Sequence, residues 1–155
     1  MKRALFVSTL VLGLSAVATH ARAELEILGV FGIPVSAADA TCWGTLVGGN
    51  TFGIRINTCP ATPWEPYKTI YYPLLYQSAY ASTWNAEIRA SAGVGCGVFA
   101  EPDNGGVYPV GSGYNWSSGL SAPIAVSVMT TYPTAYVHCQ VPQGGYIVSV
   151  KWWLS

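Results

Sequence analysis

Residues 134–154 read TAYVHCQVPQGGYIVSVKWWL, two β-forming runs with a break between them. Val137, Cys139 and Val141 alternate with Tyr136, His138 and Gln140, the period of a half-buried strand. Pro142, Gly144 and Gly145 interrupt the run with turn residues. Tyr146 to Leu154 then resumes an apolar, β-branched and aromatic sequence. The expected form is a closing β-hairpin whose first strand carries a cysteine on its apolar face.

The same alternation recurs upstream. Phe52, Ile54 and Ile56 alternate with Gly53, Arg55 and Asn57, and a hairpin is expected from 45–47 to 51–58 around Gly48-Gly49-Asn50. Trp84, Ala86 and Ile88 oppose Asn85, Glu87 and Arg89. Val94, Cys96 and Val98 share one face, as do Ile124, Val126 and Val128. Residues 24–35 read as a first strand ended by Pro34. Pro73 interrupts the run TIYYPLLY at 69–76, which suggests an edge strand or two short pieces. Residues 101–106, EPDNGG, form a turn. Residues 107–120, rich in Gly and Ser, form the longest irregular segment. About eight short strands with no helical period place the chain among all-β folds. The expected architecture is a disulfide-stabilised antiparallel β-sandwich, with a barrel as the close variant.

The first 23 residues look like a removable export signal. Lys2 and Arg3 precede an apolar stretch, and Ala21-Arg22-Ala23 fits a small-x-small cleavage pattern. Cleavage after Ala23 would leave residues 24–155 as a single domain, long enough to bury a real core. Losing Lys2, Arg3 and Arg22 from seven basic residues leaves four against seven acidic ones, a net charge of −3. That balance disfavours nucleic acid and anionic lipid as partners. No second apolar run is long enough for a transmembrane helix. Only 9% of residues are charged while 13% are aromatic, a balance suited to an exported β-protein, periplasmic or extracellular.

Cys42, Cys59, Cys96 and Cys139 all follow the expected cleavage point. An even count in an exported chain points to disulfides, and four cysteines allow three pairings. The expected pairing is Cys42 with Cys59, closing a short loop, and Cys96 with Cys139, joining strands distant in sequence. A zinc site would need closer ligand spacing than 17, 37 and 43 residues, and the chain has no C-x-x-C. No metal or cofactor is implied.

Several of these marks occur together elsewhere. Cys59-Pro60 ends a strand, Cys96 lies in a later strand, and Cys139-Gln140-Val141-Pro142 is followed by Gly144, Ile147, Ser149 and Val150. In this the chain resembles a loosely defined group of small exported proteobacterial four-cysteine β-sandwich proteins of unassigned function. The resemblance implies a disulfide-bonded β-sandwich and no particular activity.

Residues capable of chemistry are sparse. His138 could serve as a base with Asp39 or Asp103 behind it, but no Gly-x-Ser-x-Gly elbow supplies a nucleophile. Glu65, Glu87, Glu101 and Asp103 read as turn and surface carboxylates rather than a glycosidase pair. Glu101, Asp103 and Asn104 fall short of a calcium loop. The surplus is aromatic: six tryptophans and ten tyrosines. Flat rings on a surface suit the C–H faces of sugars, with amides and carboxylates taking the hydroxyls. Tyr108, Tyr114, Asn115 and Trp116, in the Gly/Ser-rich segment, are the candidate ligand contacts. Trp152 and Trp153 are consecutive on a strand and must face opposite ways, so Trp153 joins them as the outward candidate. No catalytic residue is singled out. The expected function is a small exported, non-enzymatic module binding a carbohydrate or cell-surface ligand. Alternatives are an assembly subunit that pairs through an edge strand, and a secreted hydrolase or an inhibitor presenting the Pro-rich segment 61–66.

Overall fold

The computed structural model describes residues 25–46, 53–74, 82–101, 110–132 and 134–155. The Gly48-Gly49 turn, Phe52, Tyr108 and most of the 101–106 turn lie outside them. The described residues hold twelve strands: β1 (Leu25–Leu28), β2 (Ile33–Pro34), β3 (Trp43–Leu46), β4 (Ile54–Asn57), β5 (Tyr67–Leu74), β6 (Ser82–Ala90), β7 (Gly95–Glu101), β8 (Val110–Gly111), β9 (Asn115–Trp116), β10 (Ile124–Thr130), β11 (Thr134–Pro142) and β12 (Tyr146–Leu154). Two short 3₁₀ turns, Gly29–Phe31 and Ala37–Cys42, complete them.

The strands form two antiparallel sheets. Sheet one runs β10-β6-β12-β4-β3, with β1 also paired to β12. Sheet two runs β2-β5-β11-β7-β8, with β9 also paired to β7. The expected disulfide-stabilised antiparallel β-sandwich is therefore the observed fold.

The closing hairpin is not a hairpin. β11 lies between β5 and β7 in sheet two, while β12 lies between β6 and the β1/β4 edge in sheet one. The turn after Pro142 carries the chain from one sheet to the other. Gly144 takes φ +73°, and the Gly145 N–H donates to the Pro142 carbonyl at 2.9 Å. β11 keeps the alternation the sequence shows, but the apolar faces of β11 and β12 meet across the core instead of lying side by side. Alternation dictates which face a strand buries, not its neighbour.

Those faces make the core. Ile70, Tyr72, Val98, Val137, Cys139 and Val141 of sheet two are fully buried against Trp84, Ile88, Ile147 and Val150 of sheet one. A register shift between Ile147 and Ser149 inserts one residue into β12, so Ile147, Val150 and Trp152 all turn inward. Trp152 is buried and Trp153 is only half-covered, as their adjacency requires.

Both disulfides pair as expected. Cys42–Cys59 braces the start of β3 against the end of β4, and Cys96–Cys139 joins residues directly opposite each other on β7 and β11. The second lies wholly within the core.

Other expectations change. The single first strand splits into β1 and β2, which belong to different sheets, with the Gly29–Phe31 turn between them. β5 runs unbroken through Pro73. Beyond Tyr71 it is paired on the β11 side alone, so the N–H that proline lacks is not needed there. In β4 the alternation fails at its end, where Asn57 is buried and Ile56 is half-exposed. Asn57 donates from Nδ2 to the Val141 carbonyl at 2.8 Å and accepts from the Cys59 N–H at 3.0 Å. Its backbone also bonds both Gly144 and Gly145. A buried amide thus holds β4 of sheet one to the crossing turn. The Gly/Ser-rich segment is less irregular than expected, since β8 and β9 dock in succession along β7.

Candidate aromatic binding face

The outer face of sheet two collects the side chains that alternation turns away from the core. These are Tyr67 and Tyr71 from β5, Tyr136, His138 and Gln140 from β11, and Phe99 and Glu101 from β7. Phe99 lies opposite Tyr136, and His138 lies opposite both Tyr71 and Gly97. The ring centroids of Phe99 and Tyr136 are 5.9 Å apart in a stacked arrangement. Tyr71 meets Tyr136 edge-on at 6.2 Å. These separations are those of mutually attractive rings.

Residues 110–117 run along the β7 edge of this face as a strap. Gly95 and Gly97 make room for it. A Cβ on Gly95 would stand 2.7 Å from the Trp116 ring, and one on Gly97 would strike the Gly113 carbonyl. Trp116 rests above Gly95 and against Tyr67, centroids 5.4 Å apart, and stays about half exposed. Tyr114 packs on Phe99 and His138. The Ser112 hydroxyl accepts from the Val98 N–H at 3.0 Å, and the buried Ser117 hydroxyl donates to the Ala90 carbonyl at 3.0 Å. The strap is therefore pinned at both ends. Its outcome is an aromatic row that starts at Tyr67 and Trp116 and ends at Tyr71, Tyr136 and Glu101. Four residues of strand separate its ends, about 13 Å at the usual rise.

Polar groups border the rings. The Tyr136 hydroxyl donates to Glu101 Oε1 at 3.1 Å. Burial first, then this bond, pushes the Tyr136 phenol up to about 12. The Tyr114 hydroxyl and Nδ1 of His138 share a hydrogen bond, and burial raises the Tyr114 phenol pKa while it holds that of His138 below the ordinary histidine value. Val35, Tyr71, Glu101, Tyr136 and His138 line an open depression of about 320 Å³.

The candidates named from sequence divide. Tyr114 and Trp116 join this face. Asn115, between them, points the other way, and its Nδ2 donates to the Ala125 carbonyl on the edge of sheet one at 2.8 Å. Trp153 is on the outer face of sheet one, where it and Asn115 border a second depression. Tyr108 lies outside the described residues. Sequence reasoning missed Tyr67, Tyr71, Phe99 and Tyr136 because they come from three strands and converge only in the folded sheet. Gly95 and Gly97 inside a β-run were the available signal of an overlying segment.

Asp103 lies outside the described residues, and among those described no catalytic grouping forms around His138. Its ring packs on Phe99, Tyr114 and Tyr136, while Asp39 pairs with Lys68 at 2.8 Å. Among the described residues no three His, Cys, Asp or Glu side chains gather as a metal site, and no helix is long and apolar enough to cross a membrane. One further aromatic stands apart. Trp64 is 96% exposed at a tight turn where Thr62 and Glu65 exchange backbone hydrogen bonds at 3.2 Å.

The two packed antiparallel sheets form a β-sandwich, a fold shared with solved carbohydrate-binding modules. The chain resembles the C-terminal CBM6 of LamC, a marine laminarinase from Zobellia galactanivorans, with TM-score 0.54 and 9% identity over 84% of this chain and 98% of that one. It also resembles the Podospora anserina GH26-CBM35 β-(1,4)-mannanase, with TM-score 0.50 and 16% identity over 85% of this chain and 28% of that longer one. At these identities the likeness is one of fold. No family model and no curated protein matches the sequence.

Proposed function

We propose that this is an exported, non-catalytic module that binds carbohydrate on the outer face of sheet two. The observation that carries the reading is the aromatic row itself. Tyr67, Trp116, Tyr114, Tyr136 and Tyr71 border a solvent-facing surface that the core does not need, and a dedicated glycine lane seats the strap that supplies two of them. Such rings offer flat apolar faces to the C–H faces of pyranoses, and Glu101, His138 and Gln140 are placed to take hydroxyls. The shared fold with modules from a laminarinase and a mannanase supports the same class of ligand. The length of the row favours an oligosaccharide over a single ring. The reading agrees with the two disulfides, which suit an oxidising, extracytoplasmic compartment.

The test is affinity electrophoresis in gels containing laminarin, β-mannan, xylan or cellulose derivatives. Retardation by at least one is expected, with Trp116→Ala weakening it about tenfold or more, a loss of roughly 1.4 kcal/mol. Unretarded migration in all four gels would overturn the reading.

Trp64 favours a second reading, contact with a protein. A tryptophan held out on a locked, proline-flanked turn is shaped as an anchor for a partner's pocket, as an assembly subunit or an inhibitor would use. Light scattering at high concentration separates this from the first reading for self-assembly. Oligomers that vanish in Trp64→Ala support self-assembly; a monomer throughout removes it.

A further inference from the structure

We propose that the opposite face of the molecule holds a second polyol-binding site, centred on Trp153, and that the module is bivalent. The outer face of sheet one is polar along β6, where Thr83, Asn85, Glu87 and Arg89 alternate outward, and β10 adds Ala125, Ser127 and the exposed Met129. Trp153 adds an aromatic ring beside Asn85. The core takes its tryptophan from the neighbouring Trp152, so packing does not call for a second one here.

Trp153 also sits at the wall of a depression. It lies opposite Asn85 on β6, and Asn85 lies opposite Ser127 on β10. The strap borders the far side with Ser112 and Asn115, and the open depression between them holds about 360 Å³ beside Glu87. That volume is at the small end of ligand sites, suited to one or two sugar rings.

The polar groups are ordered in advance. Asn85 Nδ2 donates to the Thr83 carbonyl and to the Ser155 hydroxyl, both at 3.0 Å. Asn115 Nδ2 is committed to the Ala125 carbonyl. Each amide spends its nitrogen on the protein and keeps its oxygen for an outside donor. With the Glu87 carboxylate and the Ser127 hydroxyl, the groove offers mostly acceptors around one aromatic wall. A neutral polyhydroxylated ligand, rich in O–H donors, fits this chemistry; an anionic one does not.

The two sites are built from one segment. Alternation along the strap sends Tyr114 and Trp116 to sheet two and Asn115 to the groove. Packed sheets stand about 10 Å apart, and their outer faces point in opposite directions. One short glycan segment therefore cannot occupy both sites, whereas two chains can.

Indole N–H resonances of ¹⁵N-labelled protein test this directly. Six are expected, one per tryptophan. Trp153→Phe and Trp116→Phe assign the two that matter, and laminaritriose, mannotriose and xylotriose are the titrants. Both resonances should shift with separate midpoints, and Asn85→Ala should weaken the Trp153 response at least fivefold while leaving that of Trp116 unchanged. Movement of Trp116 alone overturns the second site and leaves the sheet-two reading standing. Movement of Trp153 alone does the reverse. Loss of both responses in Trp116→Phe would mean a single site and overturn bivalency, and silence of both across the three titrants overturns both sites.

Discussion

Two polar residues show how little sequence alone says about a side chain's task. His138 stands on an alternating strand, and its outward direction was readable from Val137 and Cys139 on either side. Its partners were not, because Tyr114 and Phe99 arrive from elements distant in sequence. Burial depresses its pKa below 6.5, so the folded state favours the neutral ring. Between the folded value and 6.5 the unfolded chain binds more protons, so stability rises with pH across that window. The contribution is complete above about pH 6.5 and is lost on acidification through the folded value. Urea midpoints measured from pH 4 to 8 should show this slope, and His138→Gln should flatten it. Asn57 is the opposite case, a residue that alternation places outward and the structure buries. Replacing it with alanine leaves the Val141 carbonyl and the Cys59 N–H without their partner. The expected cost is about 2–4 kcal/mol, measured by denaturant unfolding, with the disulfides still formed.

Among elements, the strap and the two cystines behave most distinctly. The strap depends on an absence of side chains. Gly97→Ala would push its Cβ into the Gly113 carbonyl and lift residues 112–116 from β7. Polysaccharide retardation should then fall at least as far as in Trp116→Ala, while the near-ultraviolet spectrum of the core tryptophans Trp84 and Trp152 persists. Equal retardation of Gly97→Ala and the native protein would show that the strap does not position the rings. The disulfides differ in exposure. Cys96 and Cys139 are sealed in the core, whereas Cys59 is partly accessible at the end of β4. Thiolate attack requires access to sulfur, so dithiothreitol should open Cys42–Cys59 in the native protein and spare Cys96–Cys139 until unfolding. Mass spectrometry after alkylation reads the order. Their loops span 17 and 43 residues, for which chain entropy suggests contributions of about 3 and 4 kcal/mol.

At the level of the molecule, the consecutive strands β11 and β12 are the central strands of the two sheets. The sandwich was legible in the sequence because burying one face imposes a period of two, and β6, β10 and β11 keep it. The pairing was not, because backbone hydrogen bonds are the same whatever the side chain. That is why residues 134–154 read as a hairpin although the Asn57-tied turn makes them a crossing. The consequence is an unequal dependence on the two termini. β12 is flanked by β6 on one side and by β1 and β4 on the other, and it supplies Ile147, Val150 and Trp152 to the core. β1 is bound along one side only and has no fully buried side chain. Removal of residues 24–28 should therefore leave a cooperative native fold of reduced stability. Removal of residues 146–155 strips sheet one of its centre and uncovers the inner face of sheet two, so no cooperative unfolding transition is expected. Thermal unfolding followed by near-ultraviolet circular dichroism compares the two truncations, and a cooperative transition in the chain lacking β12 would show that sheet two can stand without it.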